Sequence, residues 1–369
     1  MNDSPAFGLH TFGDLTRDAD GSLRSHARVL RDVVEEGVLA DAVGLDFFGV
    51  GEHHRDDFAI SAPEVVLAAI AARTTRIRLG SAVTVLSSDD PVRVFQRVAT
   101  LDGISGGRAE AIMGRGSFTE SFPLFGLPLE AYGVLFEEKL ALYVQLLQEG
   151  ETTWSGTTRA PLDAQRVYPT TDSSPMRTWV GVGGSPESVV RAARHGLPMM
   201  LAIIGGDPRR FAPYVALFHE RVEGRGLARL PVGVHSPGHV ADSDAEARDT
   251  LWPAYEAMIN RIGGERGWGR IGRAQFEQEV AHGSLYVGSP ETVARKIAAT
   301  VRALGLTRFD LKYSHGTLPH DAMRRSIELY GREVVPRVRE LLAAPAASTR
   351  AGGSTMSGTG VGAEVGADR

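Results

Sequence analysis

Side chains suited to chemistry follow directly after one apolar run of this chain. The run Phe47–Gly51 ends in Glu52, His53 and His54, a carboxylate beside two imidazoles. Such a run predicts a β-strand, and in barrels of alternating strands and helices the reactive groups lie at the carboxyl ends of the strands. Because successive strand residues point to opposite faces, His53 and His54 are not expected to face the same way. One ring is therefore expected in a pocket, where histidine can transfer a proton near neutral pH, and the other against a structural partner.

Two other roles for the same residues are metal binding and a purely structural hydrogen bond. A metal site needs at least three convergent ligands, and the chain has no H-E-x-x-H or comparable spacing, so no metal ligands are predicted. A hydrogen-bonded histidine at a strand end, without a catalytic role, is the second interpretation. Cysteine is absent from the sequence, which excludes disulfides, thiolate nucleophiles and sulfur-bound zinc.

Two further motifs predict close approach to a bound group. The small residues Gly80–Ala82 interrupt an otherwise β-branched strand and leave room for a flat molecule, although tight packing inside a barrel also favours small residues. A second strand ends in Gly114–Gly116, where glycines on both sides of Arg115 let the chain turn and the cation meet an anion. A solvated arginine in a turn is the alternative.

A third motif predicts a helix start that binds phosphate. Gly183 and Gly184 lead from a strand into a helix with Ser185 as its N-cap, and Ser188 lies in the first turn. Backbone N–H groups and two hydroxyls then converge on one point. The spacing is not G-x-G-x-x-G, so no dinucleotide-binding fold is predicted. The later segment Gly288–Thr292 repeats the pattern, so ordinary helix capping is the alternative.

The elements that must position these groups alternate along the chain, as in an α/β protein. Short apolar runs separated by segments of helical period predict eight strands, near Phe7–Phe12, Phe47–Gly51, Ile77–Leu86, Ala109–Met113, Thr178–Val182, Met199–Ile203, Val232–Val240 and Phe309–Tyr313. The predicted helices are His26–Val43, Pro63–Arg73, Pro91–Ile104, Glu130–Gln148, Pro186–His195, Pro208–Glu223, Ser243–Ile262, Pro290–Leu304 and Pro319–Leu342. Eight such units favour a (β/α)8 TIM barrel over residues 1–342.

Three segments depart from this alternation. Residues 150–172 predict an irregular insertion with a small hairpin, and residues 263–283, rich in Gly and Arg, predict a long connection that is either a lid or a plain loop. Residues 343–369 carry Gly, Ser and Thr repeats that cannot bury enough apolar surface to order, so they are expected to form a disordered tail.

Composition narrows the class of partner. The 369 residues carry a net charge of −5 and are 43% hydrophobic, so neither nucleic acid nor an anionic membrane surface is an expected partner. The longest apolar stretch, Val65–Ala72, is far shorter than the roughly 20 residues that span a bilayer. A soluble, cytoplasmic protein is expected.

Taken in order, the motifs resemble the bacterial luciferase-like monooxygenase family, also described as luciferase-like flavin-dependent oxidoreductases. The resemblance covers about Phe7 to Pro336. It rests on the following segments: Gly51-Glu52-His53-His54, Gly80–Pro91, Ser105-Gly106-Gly107-Arg108, Gly114-Arg115-Gly116, Phe122–Gly126, Gly183-Gly184-Ser185, His195–Met199 and Val287–Pro290.

The resemblance implies a luciferase-like (β/α)8 barrel and a flavin monooxygenase. Such an enzyme uses reduced FMN and O2 to oxidise a small organic substrate through a flavin peroxide. By the same motifs, His53 corresponds to the catalytic acid or base, and a non-proline cis peptide is expected between Ala82 and Val83 beneath the flavin ring. The implied cofactor-binding residues are Glu52, Ala82, Val83, Arg115, Gly183, Gly184, Ser185 and Ser188.

Two departures and several alternatives accompany the resemblance. The luciferase cysteine before the arginine is Gly114 here, and a second phosphate-binding arginine has no counterpart near Gly133, so neither light emission nor aldehyde specificity follows.

A deazaflavin-dependent hydride-transfer oxidoreductase on the same barrel and a non-catalytic flavin-binding protein are the alternatives. No nicotinamide fingerprint is visible, so a separate flavin reductase is the expected source of reduced FMN. The resemblance implies a homodimer, in which Pro63–Arg73 is a candidate contact, and simple packing of this helix against the barrel is the alternative. The substrate cannot be read from the sequence.

Overall fold

Eight parallel strands close into a barrel in a computed structural model that describes residues 4–18, 20–116 and 118–344. The described residues form these eight strands and three others. In chain order they are β1 (Ala6–Thr11), β2 (Phe47–Val50), β3 (Arg78–Val85), β4 (Ala109–Gly114), β5 (Thr152–Trp154), β6 (Leu162–Gln165), β7 (Arg177–Val182), β8 (Met199–Ala202), β9 (Val232–Val240), β10 (Tyr286–Gly288) and β11 (Arg308–Lys312). The barrel order is β1-β2-β3-β4-β7-β8-β9-β11, and β11 pairs with β1 to close it. The predicted (β/α)8 fold and its eight strands are confirmed.

Helices surround the barrel. They are α1 (His26–Ala42), α2 (Pro63–Ala71), α3 (Pro91–Ser105), α4 (Ser121–Leu124), α5 (Tyr132–Leu146), α6 (Pro186–His195), α7 (Ala212–Glu223), α8 (Asp244–Arg266), α9 (Arg273–His282), α10 (Pro290–Leu304), α11 (His320–Leu329) and α12 (Val335–Ala343). Short 3₁₀ turns occupy Leu86–Ser88, Leu129–Ala131 and Pro208–Phe211. None of the helices in these described ranges is both long and apolar enough to cross a membrane.

Helix ends follow the local sequence closely. The Asp90 carboxylate accepts hydrogen bonds from two N–H groups of the first turn of α3, whose first residue is Pro91. Gly106 caps the other end of this helix in the left-handed conformation, with a φ of 66° that favours glycine. The predicted helix Pro319–Leu342 is instead divided by a π-helical turn at Tyr330–Val334. Pro336 follows this turn and lacks the N–H that a regular helix would use there, which accounts for the irregularity.

The barrel interior is partly charged. One side holds a small apolar cluster that includes Phe47, Trp179 and Met200. Beside it Arg308 is buried, lies 3.7 Å from the Phe47 ring centroid, and forms ion pairs with Glu110 and with Asp310. Burial opposes ionisation of Glu110, but Arg308 and then Arg78 hold the pKa of this carboxyl below its usual range. The charges inside the barrel are therefore paired.

Both predicted insertions have regular structure. The segment 150–172 contains the expected hairpin, in which β5 and β6 pair antiparallel. The segment 263–283 differs from the predicted long connection, since α8 continues to Arg266 and α9 begins at Arg273. The α9 residues Phe276 and Val280 are buried in the core, and this packing stabilises a helix that the glycines on either side obscure in the sequence. The predicted tail begins at the last residues of α12, and its part from 345 onward lies outside the described residues.

Candidate active site

Small residues of the neighbouring strands β3, β4 and β7 pack against one another. The peptide bond between Ala82 and Val83 is cis, as predicted. A Cβ atom at Gly114 would lie 2.5 Å from Val83 Cγ2, and one at Gly181 would lie 3.3 Å from Val83 Cγ1. The glycines therefore let Val83 pack against the neighbouring strands. Ala82, also small, points into the barrel interior.

Glu52 joins the ends of β2 and β3. Its Oε1 lies 2.8 Å from His54 Nε2, and its Oε2 accepts a hydrogen bond of 3.1 Å from the Val85 N–H. Both carboxylate oxygens thus have protein partners. Of the two histidines, His54 therefore has a structural partner, which is Glu52. The bond from Val85 to Glu52 fixes the end of β3, the strand that carries Ala82 and Val83.

His53 lies among aromatic rings just beyond β2. Its ring centroid is 4.6 Å from that of Phe12, 4.5 Å from that of Phe58 and 5.0 Å from that of Phe118. The His53 N–H donates to the Ile60 carbonyl at 2.9 Å, which fixes the backbone. Burial lowers the pKa of His53 to about 3, so its imidazole is neutral near pH 7 and has one donor and one acceptor nitrogen.

A buried ion pair lies near His53 at the ends of β1 and β11. Lys312 Nζ is 3.1 Å from Asp14 Oδ1, and the Ser314 hydroxyl donates to Asp14 Oδ2 at 2.6 Å. Burial opposes ionisation of Asp14, yet Lys312 and then Ser314 hold its pKa below the usual range. The two opposite charges act on His53 in opposite directions, so burial dominates the pKa of this histidine.

Arg115 lies where β4 ends, beside β7. Its guanidinium carbon is 5.1 Å from the Tyr132 ring centroid, and the Tyr132 hydroxyl donates to the Gly116 carbonyl at 2.7 Å. No carboxylate of residues 4–18, 20–116 or 118–344 forms an ion pair with Arg115. The register pairs Met113 with Val180, which brings the end of β4 beside the turn that starts α6.

Ser185 caps α6 as predicted. Its hydroxyl accepts from the Ser188 N–H at 3.3 Å, and the Ser188 hydroxyl donates to the Ser185 carbonyl at 2.7 Å. Because Ser188 is buried and its proton is already used, it offers an incoming anion less than the sequence suggests. A Cβ atom at Gly183 would meet no atom within 4 Å, whereas one at Gly184 would lie 3.0 Å from Phe211. Gly183 therefore borders open space at the helix start.

The similar start of α10 has a different environment. There the Asp244 carboxylate accepts from the Ser289 N–H at 2.7 Å and from the Thr292 hydroxyl at 3.0 Å. An anion from the protein itself thus occupies that helix start. At α6 no carboxylate among the described residues takes the same position. The two similar sequence motifs are therefore distinguished by whether an internal anion fills them.

Comparison with known proteins identifies the family. The profile of the family described as luciferase-like monooxygenase matches residues 11–308. The chain belongs to this family. It is 27% identical to the 4-hydroxyprotoasukamycin monooxygenase of Streptomyces nodosus subsp. asukaensis, over 80% of this chain and 84% of that protein.

Solved structures show the same fold. The monooxygenase RslO1 from Streptomyces bottropensis matches with a TM-score of 0.79 and 24% identity, over 90% of this chain and 99% of that one. The oxygenating constituent of 3,6-diketocamphane monooxygenase from Pseudomonas putida, solved in complex with FMN, matches with a TM-score of 0.75 and 20% identity, over 91% and 99% of the two chains.

In this luciferase-like chain, the sequence does not predict several contacts of charged, aromatic and histidine side chains in and around the barrel. These are the Asp14–Lys312 pair, Tyr132 under Arg115, the contact between His10 and His235, and Arg55, which pairs with Glu265 at the end of α8. One signal was available, because Asp310 and Lys312 alternate with apolar residues in a strand that is buried on both faces. Which partners such groups meet depends on closure of the barrel.

Proposed function

We propose that this protein is a monooxygenase that uses reduced FMN and O2 to oxidise a small organic substrate. Support comes from family membership and from relatives named as monooxygenases, including the alkanal monooxygenase α chain of Photobacterium leiognathi at 24% identity over 86% of this chain. The neighbour from Pseudomonas putida binds FMN on the same fold. A flavin reductase that supplies reduced FMN, and a homodimer, belong to the same proposal.

The observation that carries this proposal is the contrast between two helix starts. Asp244 occupies the start of α10, whereas the start of α6 borders open space at Gly183. On the neighbouring strand end lies Arg115, for which the described part of the chain supplies no carboxylate partner. A phosphate supplies the missing negative charge, and a helix N-terminus with N–H donors favours it. The residues present therefore fit the phosphate of FMN.

The remaining residues fit the rest of the cofactor. Ala82 and Val83, with glycines on the neighbouring strands, offer a surface without long side chains on which a flat ring system can lie. Glu52 holds the β3 end of this surface through the Val85 N–H. When bound, reduced FMN supplies the electrons that activate O2. The neutral ring of His53, surrounded by Phe12, Phe58 and Phe118, holds or moves one proton where water is scarce.

Replacing Arg115 tests the proposed phosphate site. Arg115→Ala should weaken FMN binding by about 10- to 150-fold, as expected for a lost hydrogen bond to a charged group, and should change riboflavin binding little because riboflavin lacks the phosphate. Fluorescence quenching of each flavin gives both affinities. Ser289→Ala, at the start of α10, is the matched control and should leave both affinities unchanged. Equal losses for the two flavins would place the role of Arg115 in folding or ring binding instead.

The deazaflavin alternative is tested with the same protein. Coenzyme F420-dependent enzymes share the fold, for example a tetrahydromethanopterin reductase from Methanopyrus kandleri with a TM-score of 0.67 and 19% identity. Titration with FMN and with F420, followed by oxygen uptake after reduced FMN is added, separates the two chemistries. Tight F420 binding without FMN-dependent oxygen uptake would replace the proposal.

A further inference from the structure

Arg191 lies three residues after Ser188 on α6 and is 9% exposed. Its Nε atom donates to Glu137 on α5, and its guanidinium carbon lies 5.4 Å from the Phe136 ring centroid. Neither of its two Nη nitrogens has a hydrogen-bond partner among the residues that the structure describes. An arginine that is mostly buried and has unused N–H groups is short of acceptors, because each such donor has lost part of its hydration.

Arg191 and Arg115 lie over consecutive rings of one helix. The Arg115 guanidinium faces Tyr132, and the Arg191 guanidinium faces Phe136. The two rings are four residues apart and therefore share one face of α5. Burial raises the pKa of Tyr132, whereas the charges of Arg115 and then Arg191 lower it, so both cations act on the same hydroxyl.

The start of α6 lies on the same side of α5 as these two cations. Arg191 belongs to α6, and its Cα–Cβ bond tilts toward the Ser185 end, as it does in every helix. Arg115 reaches the same region from the end of β4, the strand that pairs with β7 before α6 begins. Glu187, in the first turn of α6, is exposed, and no ion pair joins it to Arg115 or Arg191 in the described part of the chain.

The charges around Arg191 do not balance. Burial opposes ionisation of Glu137, but Arg191 and then Arg194 hold the pKa of this carboxyl below its usual range, and each arginine binds one of its oxygens. Two cations thus share one anion. Burial, followed by Arg194, lowers the pKa of His195, so this ring adds no charge near pH 7. One surplus positive charge remains here, and Arg115 supplies a second.

We propose that Arg191 is the second cation of the phosphate site and binds the FMN phosphate together with Arg115. The proposal rests on the proposed function, because it takes FMN as the ligand. A phosphate monoester carries about −1.5 to −2 charges at pH 7, which matches two surplus cations. It also has three acceptor oxygens, which suit the unused Nη groups of Arg191.

Substitutions of Arg191 and its partner separate phosphate binding from a clamp that only joins α5 to α6. Arg191→Gln should weaken FMN binding by about 5- to 20-fold and leave riboflavin binding nearly unchanged, because riboflavin lacks the phosphate. Glu137→Gln should not weaken FMN binding, because it removes a negative charge beside the site. Fluorescence quenching gives the affinities. A clamp is broken by either substitution, so equal losses of FMN affinity in the two variants would overturn the proposal.

Two further variants complete the series. Arg194→Gln is the matched control, because Arg194 binds the same carboxylate but its side chain is 55% exposed, and this variant should leave both flavin affinities unchanged. Arg191→Lys keeps the charge and the fold but has a single nitrogen in place of the planar fork. It should weaken FMN binding by about twofold to fivefold, with riboflavin binding unchanged. Wild-type FMN affinity in Arg191→Lys and in Arg191→Gln would exclude Arg191 from the site.

Phosphorus NMR of bound FMN gives a second measurement, which a clamp would not alter. The second ionisation of a phosphate monoester has a pKa of about 6, and a neighbouring cation lowers it. The pKa of the bound phosphate should therefore be higher in Arg191→Gln than in the wild-type protein. The same pKa in both proteins would contradict the assignment of Arg191.

The wild-type protein separates this proposal from the proposed function. Equal affinity for FMN and riboflavin in the wild-type protein, or no binding of either, would overturn the proposed FMN site itself. A preference for FMN that is lost in Arg115→Ala but fully kept in Arg191→Gln would leave that site in place and overturn only the role of Arg191.

Discussion

At the scale of single residues, His53 combines a neutral ring with an aromatic surrounding. His53→Ala should lower turnover by about 10²- to 10⁴-fold, the usual contribution of a general acid or base, while FMN affinity changes little. Steady-state oxygen uptake and product formation, measured beside fluorescence titration with FMN, give both quantities. His219→Ala, on the outer helix α7, is the control. Normal turnover in the His53 variant would remove this ring from the mechanism.

The residues at the mouth divide into those the sequence predicts and those it cannot. His53 and Ser185 stand in local motifs, a strand end and a helix cap, so their neighbours in the chain suffice to predict where they lie. His10 and His235 are separated by 225 residues and meet only because β1 and β9 both flank β11. Ser188 binds the nearby Ser185, and Glu52 binds the nearby His54 but also Val85 on the next barrel strand. Only the structure shows that these contacts use the hydroxyl proton of Ser188 and both carboxylate oxygens of Glu52.

At the scale of elements, the end of α8 reaches the loop that carries His53. Arg55, two residues after His53, is largely buried and pairs with Glu265 at 2.7 Å. The Arg266 guanidinium lies 5.1 Å from the Phe118 ring and 5.2 Å from the Trp268 ring. The turn after α8 therefore covers the side of the mouth where His53 lies, and we propose that it acts as a lid.

Removing the exposed ring of this turn tests the lid. Trp268→Ala should leave folding and FMN affinity nearly unchanged but increase the share of oxygen that is released as hydrogen peroxide, because water reaches the reaction site. Parallel assays of oxygen uptake, hydrogen peroxide and oxidised substrate measure this share. Tyr168→Ala, an exposed aromatic residue in the other insertion, is the matched control. Full coupling in the Trp268 variant would mean that protection comes from elsewhere.

The elements also show why sequence patterns succeed unevenly. The strand Val232–Val240, which is buried on both faces, is predicted with the observed limits, although His235 and His239 interrupt its apolar and small residues. The helix α9 was missed because glycines precede it and because only two of its residues, Phe276 and Val280, are buried. Its position is set by tertiary packing rather than by local preference.

At the scale of the whole molecule, several buried histidines are expected to make the fold sensitive to acid. Burial alone lowers the pKa of His239 from 6.5 to about 4, and burial likewise lowers that of His315 to about 3. Above pH 6.5 these rings are neutral in the folded and unfolded chain, so they have no effect there. Below it the unfolded chain binds protons that the folded chain does not, and stability falls as the pH falls toward the folded-state values.

The size of this effect can be measured at one position. Each such histidine should reduce the free energy of unfolding by about 1.4 kcal/mol for each pH unit within its window. Urea unfolding of the wild-type protein and of His239→Phe at a series of pH values between 6.5 and about 4 gives both slopes. The variant should have the smaller slope. Equal slopes would mean that His239 binds its proton equally well in both states.

The packing of Val83 against Gly114 also limits the routes by which this chain can change. Luciferases carry a cysteine at the position of Gly114, but a side chain there would begin 2.5 Å from Val83 Cγ2. A cysteine introduced at position 114 by a single substitution would therefore clash with Val83. An earlier change to a smaller residue at position 83 would reduce this clash. The order of mutations therefore matters, and this sequence would acquire the luciferase residue more readily by way of a smaller side chain at position 83.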